Sequence, residues 1–300
     1  MKRASKKYDL DQCALYKCKS KKKLAELLLI DLRYIKNSKN FIDYHSFELT
    51  GKNNKTRLIN APQPILKKIQ KRLLALLRPI NRPAWVMFGE KGKSYIQNAI
   101  VHQYNPYCIT MDIKGFYDHC RRDAVYRFCK DKLQVSPDAA TIITDFTTWE
   151  QRIPTGSPVS QILAYHAYED MFCKINEYAK SIGAKFTLYV DDITISSKNA
   201  IDPKKLASKV RKILHVYGHT ISKNKTKYYS KNDFKLITGV IISPNHQLLV
   251  PNKLSHKINN ELEHLYSIMQ ESTDVQGAIL RLNGLLQAAR LIQPNYRSDI

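Results

Sequence analysis

Residues 186–197, FTLYVDDITISS, constrain the fold more than any other stretch of the chain. Phe186, Leu188 and Val190 alternate with Thr187 and Tyr189, and Ile193 and Ile195 alternate with Thr194 and Ser196, which predicts two half-buried strands. Only Asp191 and Asp192 stand between the two runs. A two-residue connection predicts a tight hairpin, and Asp tolerates the positive φ such turns demand. One reading is a solvated turn. The other is a cation site, because two adjacent carboxylates at the tip of an apolar hairpin repel each other unless a cation lies between them.

The charge of the whole chain narrows the partners. Lys and Arg number 49 against 26 acids, a formal net charge of +23, in a chain of 300 residues that is 43% apolar. That excess points to a polyanion, nucleic acid before an anionic membrane surface. Residues 1–40 carry net +8, residues 51–89 carry nine basic and no acidic residues, and residues 198–235 carry net +9, so the rest of the chain nets −3. Each window alone reads as a solvated face. Together they predict one backbone-binding groove built from several elements. No apolar run approaches the roughly 18 to 20 residues of a membrane span, and the basic N-terminus lacks an apolar segment behind it. The six cysteines show no zinc-ligand spacing and read as reduced thiols of a cytoplasmic protein.

In chain order, Ser20 is placed to cap one helix carrying Leu24, Leu27, Leu28, Leu32 and Ile35. A hairpin is expected between residues 41 and 60 around Gly51, Lys52, Asn53 and Asn54. Pro64 opens a helix with Ile65, Ile69, Leu73 and Leu77 on one face and Lys67, Lys68, Lys71 and Arg72 on the other. Residues 107–113 read as a buried strand containing Asp112, either a hydrogen-bonded structural carboxylate or a metal ligand. Residues 120–133 read as helical, and Ser136 and Pro137 start a further helix with a capping residue. The breaker-rich loop 152–160 leads into one long helix ending near Gly183. Asp202 and Pro203 open another helix, residues 236–242 give a final strand, and the tail holds two amphipathic helices, the second with Ile279, Leu282, Leu286 and Ala289 on its apolar face.

One aspartate and an aspartate pair from neighbouring strands can hold two Mg²⁺ ions for in-line phosphoryl transfer. Tyr189, Val190, Asp191 and Asp192 resemble the YxDD signature of reverse transcriptases, and the other blocks of that family follow in order from about Arg57 to Gly239. The resemblance implies an α+β, right-hand polymerase architecture: residues 1–86 as N-terminal helix and fingers, 87–249 as a ferredoxin-like palm with an antiparallel sheet (119–151 adding to the fingers), and 250–300 as an RNA-binding helical thumb. It implies metal binding by Asp112, the Ile113 carbonyl, Asp191 and Asp192, with Mg²⁺, or Mn²⁺ in its place. It makes Arg57 and Gln70 contacts for the incoming nucleotide, Tyr117 a steric gate against the ribose 2′-OH, and Gly156 and Ser157 part of the block beneath the templating pair. That block departs from the family in having Thr155 for Gln and Gln161 for Pro. Lys225 matches the lysine near the leaving pyrophosphate and is the candidate acid.

Two elements resemble the retron branch. Asn98, Ala99 and His102 fit its NAxxH element, and Ile237, Thr238 and Gly239 resemble its VTG element, which implies RNA binding at Asn98, His102, Thr238 and Gly239. As a single residue, His102 reads as a structural histidine in a turn. Membership would imply synthesis of branched, multicopy single-stranded DNA from a structured non-coding RNA and dNTPs, action in anti-phage defence, an effector protein encoded nearby, and no membrane. The alternatives are a defence or intron-like reverse transcriptase without a retron RNA, and an RNA-binding protein with a vestigial polymerase site.

Overall fold

The computed structural model describes residues 7–50, 56–271 and 275–297, and the expected turn at residues 51–54 lies outside them. By contacts the chain divides into two interleaved units, one of residues 1–91, 113–175 and 210–221, the other of residues 92–112, 176–209 and 222–300.

The first unit contains the expected hairpin, strand β1 (Tyr44–Thr50) antiparallel to β2 (Thr56–Pro62), with Leu49 opposite Arg57. The helix Pro64–Leu77 follows, with Pro at its first turn, and buries Leu66, Ile69, Leu73 and Leu77. Two expected single helices are broken. Leu29 takes a left-handed φ of 56° after Lys21–Leu28, and Asp31 caps a second helix, Leu32–Lys36, by accepting from Arg33 N. Ser20 caps the first as expected, accepting from Lys23 N. The helix after the breaker loop runs Ser160–Ala167 and restarts as Glu169–Ser181. Between them the Tyr168 hydroxyl accepts from Arg121 N and donates to His119 O, a bond pair that fixes the break. Residues 120–133 start helical structure only at Arg122, and Ser136 makes no side-chain cap at Pro137–Thr147.

The second unit is built on an antiparallel four-stranded sheet in the order β4–β5–β3–β6, with β3 at Tyr107–Asp112, β4 at Lys185–Tyr189, β5 at Asp192–Ser197 and β6 at Lys227–Tyr229. The expected final strand is instead a hairpin, β7 (Lys235–Ile237) and β8 (Val240–Ile242), turned by Thr238 and Gly239, both at positive φ, and β9 (Leu248–Leu249) completes that sheet. Helices Asn252–Glu271 and Val275–Ile292 pack on it through Ile258, Leu282, Leu286, Ala289 and Ile292 against Ile237, Val240 and Ile242. Ile279, expected on that apolar face, is 42% exposed, and Ala278 takes the buried position. All six cysteines are free thiols. No helix among the described residues is long and apolar enough to cross a membrane.

Gly156 shows how tightly the breaker loop is seated on β2. Its φ is +111°, and an added Cβ would lie 2.9 Å from Ile59 Cγ2 and 3.0 Å from Asn60 O. Asn60 N also donates to Thr155 O at 2.7 Å. Gly156→Ala is therefore expected to cost about 2–3 kcal/mol in urea denaturation. Gly183→Ala, also at positive φ but facing open space, should cost only about 1 kcal/mol.

Candidate active site

The carboxylates meet at one end of the four-stranded sheet. In the antiparallel register Asp112 of β3 lies directly opposite Asp192 of β5, and Asp192 lies opposite Tyr189 of β4. Directly opposed residues have Cβ atoms about 4.5–5.5 Å apart. Residues separated by 80 positions in sequence are thus nearest neighbours, and Asp191 precedes Asp192 in the turn. The turn differs from the expected one. Because β4 ends at Tyr189 and β5 already begins at Asp192, the two connecting residues are Val190 and Asp191. The positive φ, 60°, falls on Val190, a β-branched residue for which that conformation is a strained outlier.

Electrostatics at this end follow from crowding. Burial, then Asp191, then Asp112 push the Asp192 carboxyl from its ordinary 3.8 up to about 6, with Lys225 opposing. The Lys225 ammonium donates to Asp112 Oδ2 at 2.7 Å. Ser222 N donates to Asp112 O at 2.7 Å and fixes the backbone at that strand end. Among the described residues no three His, Cys, Asp or Glu side chains stand close enough to form a ready-made metal cage. The donor chemistry nonetheless fits a hard divalent cation. Mg²⁺ keeps several waters and takes one or two protein carboxylates plus substrate phosphates, and two carboxylates opposed across neighbouring strands form such a half-site.

The remaining predicted residues divide by burial. In the first unit Arg57 is exposed on β2, Gly156 is exposed, and Tyr117 is half-buried with its ring 5.5 Å from that of Phe116. Ile113 is buried and bridges to Ile221. Gln70 is fully buried. Its Nε2 donates to Tyr44 Oη and Phe146 O, and its Oε1 accepts from Ser157 Oγ at 2.7 Å. Gln70, which the resemblance made a contact for the incoming nucleotide, thus anchors the loop carrying Gly156 and Ser157.

In the second unit Asn98 and His102, which the resemblance made contacts for RNA, are also fully buried. Asn98 Nδ2 donates to Thr238 Oγ1 (3.3 Å), and Thr238 Oγ1 donates to Tyr95 O (2.9 Å). Thr238 is half-buried and Gly239 exposed. The His102 ring lies 2.6 Å from Ser196 Oγ through Nδ1 and 2.7 Å from Thr187 Oγ1 through Nε2. Thr187, Thr194 and Ser196 are buried, so β4 and β5 are covered on both faces rather than half-exposed. Sequence reasoning missed Thr187 and Ser196 as partners of the histidine ring, and Asn105 as the second partner of Ser196. A polar residue alternating with apolar ones reads as solvent-facing, and no local signal reveals that a helix covers that face.

Comparisons with known proteins agree with this geometry. The family described as reverse transcriptase (RNA-dependent DNA polymerase) matches residues 46–266. The Retron Se72 reverse transcriptase of Salmonella heidelberg is 30% identical over 62% of this chain and 50% of its own length. The Retron Ec83 reverse transcriptase of Escherichia coli is 23% identical over 80% of each chain. The chain thus spans about half the length of the first of these relatives. Among solved structures, apo telomerase from Candida tropicalis, truncated of its C-terminal domain, superposes with a TM-score of 0.52 at 13% identity, covering 71% of this chain and 55% of that one. That likeness shows the polymerase fold. The opposed aspartates at one sheet end, the fold and the matched family together establish that this chain belongs to the reverse transcriptases.

Proposed function

We propose that this chain is the RNA-directed DNA polymerase of a retron system, copying a structured non-coding RNA from a 2′-hydroxyl primer into branched, multicopy single-stranded DNA. The observation that supports it most is the β3–β5 register that sets Asp112 against Asp192. Reverse transcriptases act with divalent metal ions, and Asp112, Asp191, Asp192 and the Ile113 carbonyl are the groups proposed to hold two Mg²⁺ ions, or Mn²⁺. Bound there, the ions would supply Lewis-acid activation of the attacking hydroxyl and neutralise phosphate charge.

The chain's own side chains do the rest. Arg57 offers an exposed guanidinium fork suited to triphosphate oxygens. Gly156 leaves its loop backbone unshielded, and Gln70 holds Ser157 so that the loop keeps one shape. Tyr117, packed on Phe116, is the steric gate that favours dNTPs over ribonucleotides. Lys225 donates a hydrogen bond to Asp112 and is the proposed acid for the leaving pyrophosphate. The basic windows and the helices Asn252–Glu271 and Val275–Ile292 are the proposed RNA surface. The partners are the non-coding RNA, its DNA product, and an effector encoded nearby in anti-phage defence.

Sequencing the nucleic acid that copurifies with the full chain, with and without RNase, tests this reading. An RNA joined to DNA of defined start supports it, and RNA with no attached DNA counts against it. Asp191→Asn should lower primer extension about 10³-fold or more while leaving RNA affinity nearly unchanged. Extension near the wild-type rate would refute the carboxylate assignment.

Asp192 gives a signed prediction for stability. Its folded-state pKa lies above the unfolded value, so without divalent metal the folded state binds more protons between about pH 4 and 6, and stability falls as pH rises through that window. Asp192→Asn should therefore raise stability at pH 7.5 in metal-free buffer by on the order of 1–2 kcal/mol, read from urea unfolding. Its extension activity should be abolished in the same preparation.

A further inference from the structure

We infer that the segment from Ser94 to Asn105 braces the carboxylate hairpin, and that His102 is a positioning residue for DNA synthesis rather than a contact for RNA. The inference rests on the polymerase reading above and concerns the second unit alone.

The segment is a short helix, Tyr95–Val101, started by Ser94, whose Oγ accepts from Gln97 N. Asn98 and His102 are four residues apart and so lie on one side of it. The imidazole reaches two strands at once. Thr187 is on β4 opposite Thr194, and Ser196 is on β5 two residues beyond Thr194. The ring therefore spans a diagonal of the hairpin on the sheet face that also carries Asp192, since Thr194 and Ser196 follow Asp192 at period two. Burial holds His102 far below its ordinary pKa, at about 3, so the ring is neutral, with one donor and one acceptor nitrogen, and both are used. Asn105 completes the clamp. Its Nδ2 donates to the same Ser196 Oγ at 2.7 Å, and its carbonyl accepts from the buried Lys235 ammonium at 2.8 Å.

What the clamp holds explains why it is needed. Thr187 lies two residues before Tyr189, the cross-strand partner of Asp192, and three before the strained Val190. A strained turn persists only where its flanks are over-determined by the surrounding structure. Fastening β4 to β5 with a neutral ring fixes the strand ends between which Val190 and Asp191 must fit. Through Asn98 the same helix also grips Thr238 in the β7–β8 turn. One helix thus ties the carboxylate hairpin to the sheet on which the C-terminal helices pack.

The test compares full-length wild type with His102→Phe, Thr187→Val and Thr187→Ser on a generic RNA template with an annealed DNA primer. His102→Phe and Thr187→Val should lower kcat roughly 10- to 100-fold, the range that a displacement near 1 Å produces. KM for dNTP and affinity for template should change less than about threefold, because a mispositioned catalytic group acts on kcat. Thr187→Ser keeps the hydroxyl and should stay close to wild type, which separates loss of the bond from general loosening of the core. A folded His102→Phe that extends primers at the wild-type rate but loses copurifying RNA would overturn the inference in favour of RNA contact. Equal losses in Thr187→Val and Thr187→Ser would overturn it too, and this pair remains decisive if His102→Phe does not fold. If wild type itself fails to extend primers, the polymerase reading is at fault. Hydrogen exchange of amides 185–197 then judges the brace alone: faster exchange in Thr187→Val than in Thr187→Ser supports it, and equal exchange defeats it.

Discussion

Two carboxylates facing each other across neighbouring antiparallel strands are an unfavourable pair, and the surrounding structure is arranged around tolerating them. Asp112 and Asp192 are direct cross-strand partners, and like charges in that relation destabilise a sheet. The protein offsets the repulsion in two visible ways. Lys225 brings a cation onto Asp112, and Asp192 holds its proton to about pH 6. Neither removes the cost at neutral pH. A site that is expensive when empty of cations and inexpensive when filled is what a divalent-ion enzyme requires, because binding energy otherwise lost to repulsion is recovered when the ions arrive.

The same logic reaches the layer beneath. Thr187, Thr194 and Ser196 form a buried hydroxyl-bearing face where an apolar one would be simpler to stabilise. Buried hydroxyls without partners cost about 1–3 kcal/mol each. Here His102 and Asn105 supply partners for Ser196, and His102 for Thr187. Directional bonds fix geometry where apolar packing tolerates sliding, and a one-residue slip would turn Asp192 to the opposite face. A buried polar network under the hairpin is therefore a device for register, at the place where register decides whether two aspartates meet.

The strands and their carboxylates were legible in the sequence because they depend on local pattern. The alternation around Asp191 and Asp192 located β4 and β5, and the apolar run around Asp112 located β3. The chemistry of the YxDD resemblance joined them. Local pattern could not show which two residues make the turn. Asp is the better turn former, yet Asp192 is held in β5 by its pairing with Asp112 on one side and Tyr189 on the other, so the strained position passes to Val190. The helix breaks at Leu29 and Tyr168 were illegible for a related reason: apolar spacing continues across both, and the interruption comes from a cap at Asp31 and from tertiary bonds to the Tyr168 hydroxyl. Gln70, Asn98 and His102 were recognised as significant by type and offset, but their burial is a property of the assembled unit that spacing does not encode.

The burial of Asn98 and His102 changes how a subfamily signature can be understood. A pair of polar residues that marks one branch of a polymerase family suggests recognition of that branch's own RNA, and exposed side chains would be needed for that. Here the pair faces inward and fastens two hairpins, one bearing Asp191 and Asp192 and the other turning at Thr238 and exposed Gly239. On the inference drawn from this clamp, a signature of this kind acts on the geometry of synthesis. On that inference, RNA recognition belongs to exposed basic surface, and the buried pair belongs to the alignment of the carboxylates.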